Sequence, residues 1–258
     1  MKDSTSQIRE ALHSLKPITL EEMNAVALMK RVDSKFVLSL DRLSELLDRV
    51  KDDYSILTIE DENVFDYRTT YYDTEDLETY TDHLRGKSIR HKVRIREYIN
   101  TKVNYFEIKK KQNSGVTDKV RIKTQTIAPQ LLPEQRQFFN DHLEGSDGDT
   151  YSKILTNTFN RITLANPKDK ERVTVDFNLG FDDEVKTQTF ANLCIVEIKQ
   201  PKVNRFTPIF LQLKLMGIRP LRISKYCLGV STLRDVKANL FKPKLRTINK
   251  TINSHGNI

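Results

Sequence analysis

The sequence predicts an α+β fold: one domain in which seven or eight strands fit a β-barrel with helices on its outer wall, while an ordinary sheet with its charges in water would show the same alternation. Three observations predict it. Between Ser88 and Lys123, three consecutive segments alternate with a period of two and place nine cations and one carboxylate on their polar faces. Three further segments, around Asp33, Asp176 and Glu197, show the same alternation of charged and apolar residues. Helical spacing recurs between these strands, and no Gly/Ser or Pro-rich linker divides the chain.

In chain order, Ile8, Ala11, Leu12 and Leu15 fall at helical spacing. Pro17 interrupts and Leu20–Met29 resumes, so residues 1–30 are expected as peripheral helices. RVDSKFVL reads as a strand with Arg31, Asp33 and Lys35 opposite Val32, Phe36 and Leu38. Asp41–Val50 is an amphipathic helix with Ser39 or Asp41 as N-cap. Phe65–Thr74, rich in aromatic residues and threonine, reads as a strand. The basic strands follow: Arg90, Lys92, Arg94 and Arg96 on the first, Glu107, Lys109 and Lys111 on the second, Lys119, Arg121 and Lys123 on the third. Pro133 opens a helix that stops at Glu144–Asp149, and Tyr151–Phe159 is expected as another short helix. Arg172–Phe181 and Ala191–Gln200 alternate as strands. Thr207-Pro208 opens a helix ending at Gly217, with proline first and glycine past the last turn. Ser224–Leu233 is expected as a final short helix. The domain therefore covers 1–241, and 242–258 is expected as a mobile basic tail.

Composition narrows the function. The 258 residues carry a net charge of +8, which favours an anionic partner such as a phosphorylated metabolite, nucleic acid or a membrane surface. Cys194 and Cys227 are the only cysteines, and Cys194 alternates with Val196 and Ile198 as a core residue, so no disulfide framework is implied. MKDSTSQIRE has no apolar signal-peptide core, and no apolar run approaches a membrane span. A soluble cytoplasmic protein is expected.

The charged faces carry the chemistry. The plain alternative for any one of them is a solvated outer surface. Like charges near 4 Å repel by roughly 4 kcal/mol per pair at an effective dielectric near 20, so cations converging on a concave face need a bound polyanion. Guanidinium forks and ammonium points suit phosphate oxygens and the charge of a transferring phosphoryl group. Asp33, Glu107, Asp176 and Glu197 lie within these faces. Each is a salt-bridge partner or a ligand of Mg²⁺ or Mn²⁺, with Glu197 and Asp33 the metal candidates. Other chemistries lack support. LRGKS (Leu84–Ser88) ends like a phosphate-binding loop, but Thr81 stands where its first glycine belongs. The five histidines have no metal-ligand spacing, and no GxSxG element is present. Regular aromatic interleaving for base stacking is missing from the basic strands, which disfavours specific nucleic-acid binding.

Eight motifs occur in order: R-x-D-x-K-F (Arg31–Phe36), Y-Y-D-T (Tyr71–Thr74), K-V-R-I-R-x-Y (Lys92–Tyr98), F-E-I-K-K-K (Phe106–Lys111), F-N-R (Phe159–Arg161), R-V-T-V-D (Arg172–Asp176), V-E-I-K (Val196–Lys199) and R-I-S-K-Y (Arg222–Tyr226). The series resembles the VTC (vacuolar transporter chaperone) polyphosphate polymerase domain, within the CYTH-like triphosphate tunnel metalloenzymes. The resemblance implies an eight-stranded antiparallel β-barrel, a triphosphate tunnel with helices packed on the outside. It implies transfer of a nucleotide's terminal phosphate from ATP or another nucleoside triphosphate to polyphosphate, with Mn²⁺ or Mg²⁺. Carried over by motif position, Arg94, Arg96, Lys109, Arg161, Arg172 and Lys225 would be catalytic. Lys35, Lys119, Arg222 and Ser224 would bind phosphate, and Glu197 would hold the metal. The charged faces add Lys111, Arg121 and Lys199 to the phosphate-binding residues and Asp33 to the metal ligands. Three residues depart from the family pattern: Asp33 replaces the usual Glu, Phe159 a common Tyr, and Arg222 a typical Lys. The leading expectation is a polyphosphate polymerase. A tunnel triphosphatase would share nearly every ligand, and a non-catalytic polyanion-binding module would need no metal.

Overall fold

The computed structural model describes residues 4–24, 31–113 and 117–253. The elements in chain order are α1 (Ser4–His13), β1 (Lys16–Ile18), α2 (Leu20–Asn24), β2 (Val32–Leu38), α3 (Leu40–Val50), β3 (Ser55–Leu57), β4 (Phe65–Asp73), α4 (Glu78–Leu84), β5 (Arg90–Tyr98), β6 (Val103–Lys111), β7 (Thr117–Lys123), α5 (Pro133–His142), β8 (Ser152–Asn166), β9 (Glu171–Asp182), β10 (Thr187–Phe190), β11 (Cys194–Gln200), α6 (Pro208–Leu215), α7 (Lys225–Leu233) and α8 (Lys242–Asn253). Eight strands form one antiparallel path in the order β2-β11-β9-β8-β4-β5-β6-β7. The path curls into a half-barrel whose two end strands are β2 and β7. Short β1, β3 and β10 attach beside it. Among the described residues, no helix is long and apolar enough to cross a membrane.

Antiparallel pairing puts directly opposed residues on the same face, so the alternation of each strand becomes a property of the whole wall. One face is apolar and lies under helices. Leu43, Leu46, Leu47 and Val50 of α3, with α1 and α6, cover Phe36, Val173, Val175, Val196 and Ile198. Phe139 of α5 covers Val93, Ile95, Phe106 and Ile108. The other face holds Asp33, Lys35, Glu197, Lys199, Arg172, Asp176, Arg161, Arg94, Arg96, Glu107 and Lys109, joined by register from β2 to β6.

At one end this second face turns apolar, through Val37, Ile195, Leu155, Tyr71 and Phe181, and α7 packs there. A wedge of small volume makes the contact possible. A Cβ at Gly229 would lie 2.6 Å from a Phe181 ring carbon and 2.9 Å from Leu155. Gly229→Ala is therefore expected to destabilise the chain by about 1–3 kcal/mol through overpacking, read as a lowered melting temperature. Leu221 N–H donates to the Lys35 carbonyl at 2.8 Å, so the segment before α7 crosses the edge of β2 and brings the helix over the concave side. Tyr226 Oη donates to Asp73 Oδ2 at 2.5 Å, and Asp73 also accepts from the Thr79 and Tyr80 amides at 2.9 and 3.0 Å. The Y-Y-D-T and R-I-S-K-Y motifs are thus two halves of one buried joint.

Three expectations change. Tyr151–Phe159 is the first half of the 15-residue strand β8, not a helix. Ile154 and Leu155 are both buried because helices and strands cover both faces here, and that erases the period of two. Residues 1–30 are not purely helical, since Lys16–Ile18 pairs in parallel with β3, with Pro17 on an edge strand where it breaks no ladder. The expected helical run to Met29 is described only to Asn24, and its remainder lies outside the described residues. The stretch expected as a mobile tail is helical over Lys242–Asn253. Ile248 is fully buried in it, with Leu245 and Ile252 packed against the α7 cluster. Its apolar residues are sparse, and only a tertiary groove makes them a helical stripe.

Candidate functional site

The curl of the wall brings distant strands together. Lys109 on β6 feels Asp33 on β2 and Glu197 on β11. Lys92 on β5 donates to Ser224 Oγ at 2.8 Å, and Lys225 pairs with Asp176 on β9. The first turn of α7 therefore bridges the two sides of the half-barrel. Ser224 is also its N-cap, accepting from the Cys227 amide at 3.4 Å, so the positive end of the helix dipole lies at the concave lining.

Ten cations meet on this lining: Lys35, Lys92, Arg94, Arg96, Lys109, Lys119, Arg161, Arg172, Lys199 and Lys225. Four carboxylates, Asp33, Glu107, Asp176 and Glu197, oppose them. Two of the four are fully committed. Arg161 grips Asp176 with Nε at 2.5 Å and Nη2 at 2.8 Å, and Lys225 completes the triad. Glu107 accepts from Arg94 at 2.7 and 2.9 Å and pairs with Lys119. Burial opposes the charge of both acids, yet the cations win. Asp176 is held well below the carboxylate range, and Glu107 is held at about 2 by Arg94, Arg96 and Lys119. These are the internal clamps that keep like charges in place.

The other two are more loosely held. Glu197 has Lys199 at 3.1 Å and Lys35 at 3.5 Å, both longer than the contacts within the clamps. Asp33 lies diagonal to it across the β2–β11 register and pairs with Arg31 at 3.1 Å. Burial, and then the Glu197 charge, raises the Asp33 carboxyl. Two carboxylates that repel one another, beside a phosphate-binding wall, form a donor set that fits a hard divalent cation, which takes one or two carboxylates plus phosphate oxygens. Among the described residues no cluster of three His, Cys, Asp or Glu side chains exists, so they offer no complete cage of their own.

Four of the lining cations have no acid partner within ion-pair distance among the described residues: Lys92, Arg96, Arg172 and Lys109. The Arg96 and Arg172 Nε atoms are buried without a hydrogen-bond acceptor there. Burial lowers the pKa of both, and neighbouring arginines lower it further. Burial also lowers the lysines, Lys109 in direction, Lys119, Lys199 and Lys225 to about 8, and Lys92 to about 7. A bound polyanion would favour the charged form of each, and for Lys92 and Lys109, which have no acid partner, it would be the counterion. Because Lys92, lowered by burial to about 7, and Lys119, Lys199 and Lys225, lowered to about 8, must be protonated to hold an anion, affinity for inorganic tripolyphosphate is expected to weaken as pH rises from 7 to 9. Lys92→Arg should remove the part of that fall nearest pH 7 in calorimetric titrations, leaving the part due to Lys119, Lys199 and Lys225.

Of the residues expected from sequence, Lys35, Arg94, Arg96, Lys109, Lys119, Arg161, Arg172, Lys199, Ser224 and Lys225 come together here, with Asp33 and Glu197. Lys111, Arg121 and Arg222 do not join the cluster. Arg222 is exposed, Lys111 ends β6, and Arg121 is exposed and stacks on Tyr105 at 4.2 Å. Lys92 was on the charged face but not among the candidates, and its contact with Ser224 shows why it belongs. The period-two pattern of β5 was the signal that could have found it. Tyr67 was legible only as a strand aromatic, yet it lies under the Arg161 guanidinium at 4.9 Å.

A curled antiparallel wall with a cation-lined concave face defines a CYTH-like triphosphate tunnel fold. The model of the VTC domain matches residues 30–234, and the chain belongs to that family. Among solved structures, the fold resembles HpAC1 from Hippeastrum, an adenylyl cyclase candidate reported to have a dominant triphosphatase activity. The TM-score is 0.50 at 12% identity, covering 82% of this chain and 99% of that one. An adenylate cyclase candidate from Vibrio parahaemolyticus matches at TM-score 0.45 and 10% identity, over 78% of this chain and 97% of the other. The PH1819 protein of Pyrococcus horikoshii gives 0.42 and 10%, over 78% and 99%. No curated protein sequence matches the chain.

Proposed function

We propose that this chain is a polyphosphate polymerase that transfers the γ-phosphate of ATP, or of another nucleoside triphosphate, to a polyphosphate chain held on the concave wall. The observation that carries the reading is the unbalanced charge of the lining, with Lys92, Arg96, Arg172 and Lys109 lacking acid partners within ion-pair distance among the described residues. A wall stabilised only by its own salt bridges would not keep four half-buried cations uncompensated. Arg94, Arg96, Lys109, Arg161, Arg172 and Lys225 would bind the transferring phosphate and stabilise its charge. Lys35, Lys119, Lys199 and Ser224, with Lys92, would hold the rest of the anion. Asp33 and Glu197 would hold Mn²⁺ or Mg²⁺, which supplies further neutralisation of the phosphate oxygens. No side-chain nucleophile is called for, because a terminal phosphate of the polymer would attack.

Hydrolysis is the second reading. The triphosphatase activity reported for the Hippeastrum protein favours it, since water could take the acceptor's place at the same wall. Phosphorus NMR of the purified chain with ATP, Mn²⁺ and a short polyphosphate primer separates the two. Growth of mid-chain phosphate signals as ADP appears supports the polymerase. ADP and orthophosphate without growth of mid-chain signals support the triphosphatase, and primer binding without turnover under any metal supports a binding module.

A further inference from the structure

The two ends of the lining differ in chemistry. At the end covered by α7 the anion ligands are Lys92, Ser224 and Lys225, and the rings beside them are packed into the α7 core. From Phe159, which carries Lys225 Nζ over its ring at 4.4 Å, four rings form a row across the concave face toward the other end, where the β5–β6 hairpin closes. Tyr67 stacks parallel on Phe159 at 5.2 Å between centroids and 8° between planes. Tyr98 follows at 5.1 Å from Tyr67, and Tyr105 stands edge-on to Tyr98 at 5.9 Å. Arg121 lies over the Tyr105 ring at 4.2 Å, and Arg172 is close enough to Tyr67 and Tyr98 to feel both. Register puts all four rings on the charged face: Tyr98 opposes Tyr67, Tyr67 opposes Phe159, and Tyr105 opposes Arg96.

Core packing accounts for Phe159 and Tyr67, which lie in or against the α7 cluster, but not for the outer two rings. Tyr98 and Tyr105 belong to none of the apolar clusters of the described residues, and both are only half-buried. An inorganic phosphate chain can take hydrogen bonds from their hydroxyls but has no use for their ring faces, since it presents oxygens and no flat apolar surface. A planar group attached to phosphates does. From these contacts we infer that Tyr98 and Tyr105, with Arg121 at their rim, form a nucleoside subsite. The base of the donor nucleotide stacks there while its phosphates run past Arg172 and Arg96 toward Lys92 and Lys225. Stacking on an aromatic face tolerates any base, and a guanidinium over the same ring adds attraction for the ribose-phosphate end. The inference rests on the phosphate-binding reading above and adds a polarity to it: the nucleoside stays at the hairpin end, and the terminal phosphate lies innermost.

Calorimetric titration of the full chain with ATP and with inorganic tripolyphosphate, at one fixed salt concentration, tests it. Tyr98→Ala and Tyr105→Ala are each expected to weaken ATP binding about tenfold while leaving tripolyphosphate within about twofold. Tyr98→Phe, which keeps the ring, should bind both as the parent does. Equal losses for the two ligands, or an unchanged ATP affinity in both alanine variants, would overturn the subsite while leaving the phosphate wall standing. Failure of the parent chain to bind tripolyphosphate at all would sink the phosphate reading and the subsite with it.

Discussion

Arg96→Met is expected to reduce turnover of a nucleoside triphosphate about 10²–10³-fold while leaving the melting temperature unchanged or higher. The opposite signs follow from one fact. Arg96 is half-buried on the concave face, its buried Nε has no acceptor among the described residues, and desolvation, with Arg94 and Arg161, disfavours its charge. Burying an uncompensated guanidinium destabilises the folded chain, and a methionine of similar length removes that cost while filling the space. The cation–π interaction between Arg96 and Tyr67 is long, at 5.8 Å, so its removal offsets little of the gain. In the functional reading the same cation neutralises phosphate charge, so its removal is felt in catalysis. Thermal melting and phosphorus NMR on one preparation check both halves. A variant that melts well below the parent would show that Arg96 holds the wall together instead of waiting for a ligand.

Glu107→Gln should do the reverse, costing about 3 kcal/mol of stability. Glu107 has a side chain only 1% exposed and is clamped between Arg94 and Lys119. Its carboxyl is held at about 2 against an ordinary 4.5. A carboxylate depressed in the folded state contributes stability that is complete above 4.5 and lost as pH falls toward 2, so the parent should weaken through that window. In the variant the loss is present at neutral pH, and the acid-dependent part from this residue disappears. Tripolyphosphate should raise the variant's melting temperature more than the parent's, because the anion replaces the missing counter-charge for Arg94. Equal stabilisation of both chains would place the polyanion elsewhere.

Much of the wall was legible in the sequence because its signal is local. A strand's period of two needs no knowledge of its neighbours, so Arg94, Arg96 and Lys109, like Arg172, Glu197 and Lys199, could be assigned to charged faces from their own segments. Helices α3 and α6 were legible for the same reason, through the apolar stripe of Leu43, Leu46, Leu47 and Val50 and through Thr207-Pro208 with Gly217. β8 was not, because burial on both faces removed its alternation, and α8 was not, because its stripe exists only against the groove that receives it.

Local pattern was enough to define the chemistry of each surface: which strands carry cations, where acids sit among them, and which faces must be covered. How those charges are partitioned follows from tertiary packing alone. Curling the sheet set Glu107 and Asp176 into tight clamps and left Glu197 and Asp33 more loosely paired. It also left Lys92, Arg96, Arg172 and Lys109 without acids of their own among the described residues. Residues from β5, β9 and α7 lie far apart along the chain, and Coulomb interactions of partly buried groups depend on a few ångströms that no local pattern encodes.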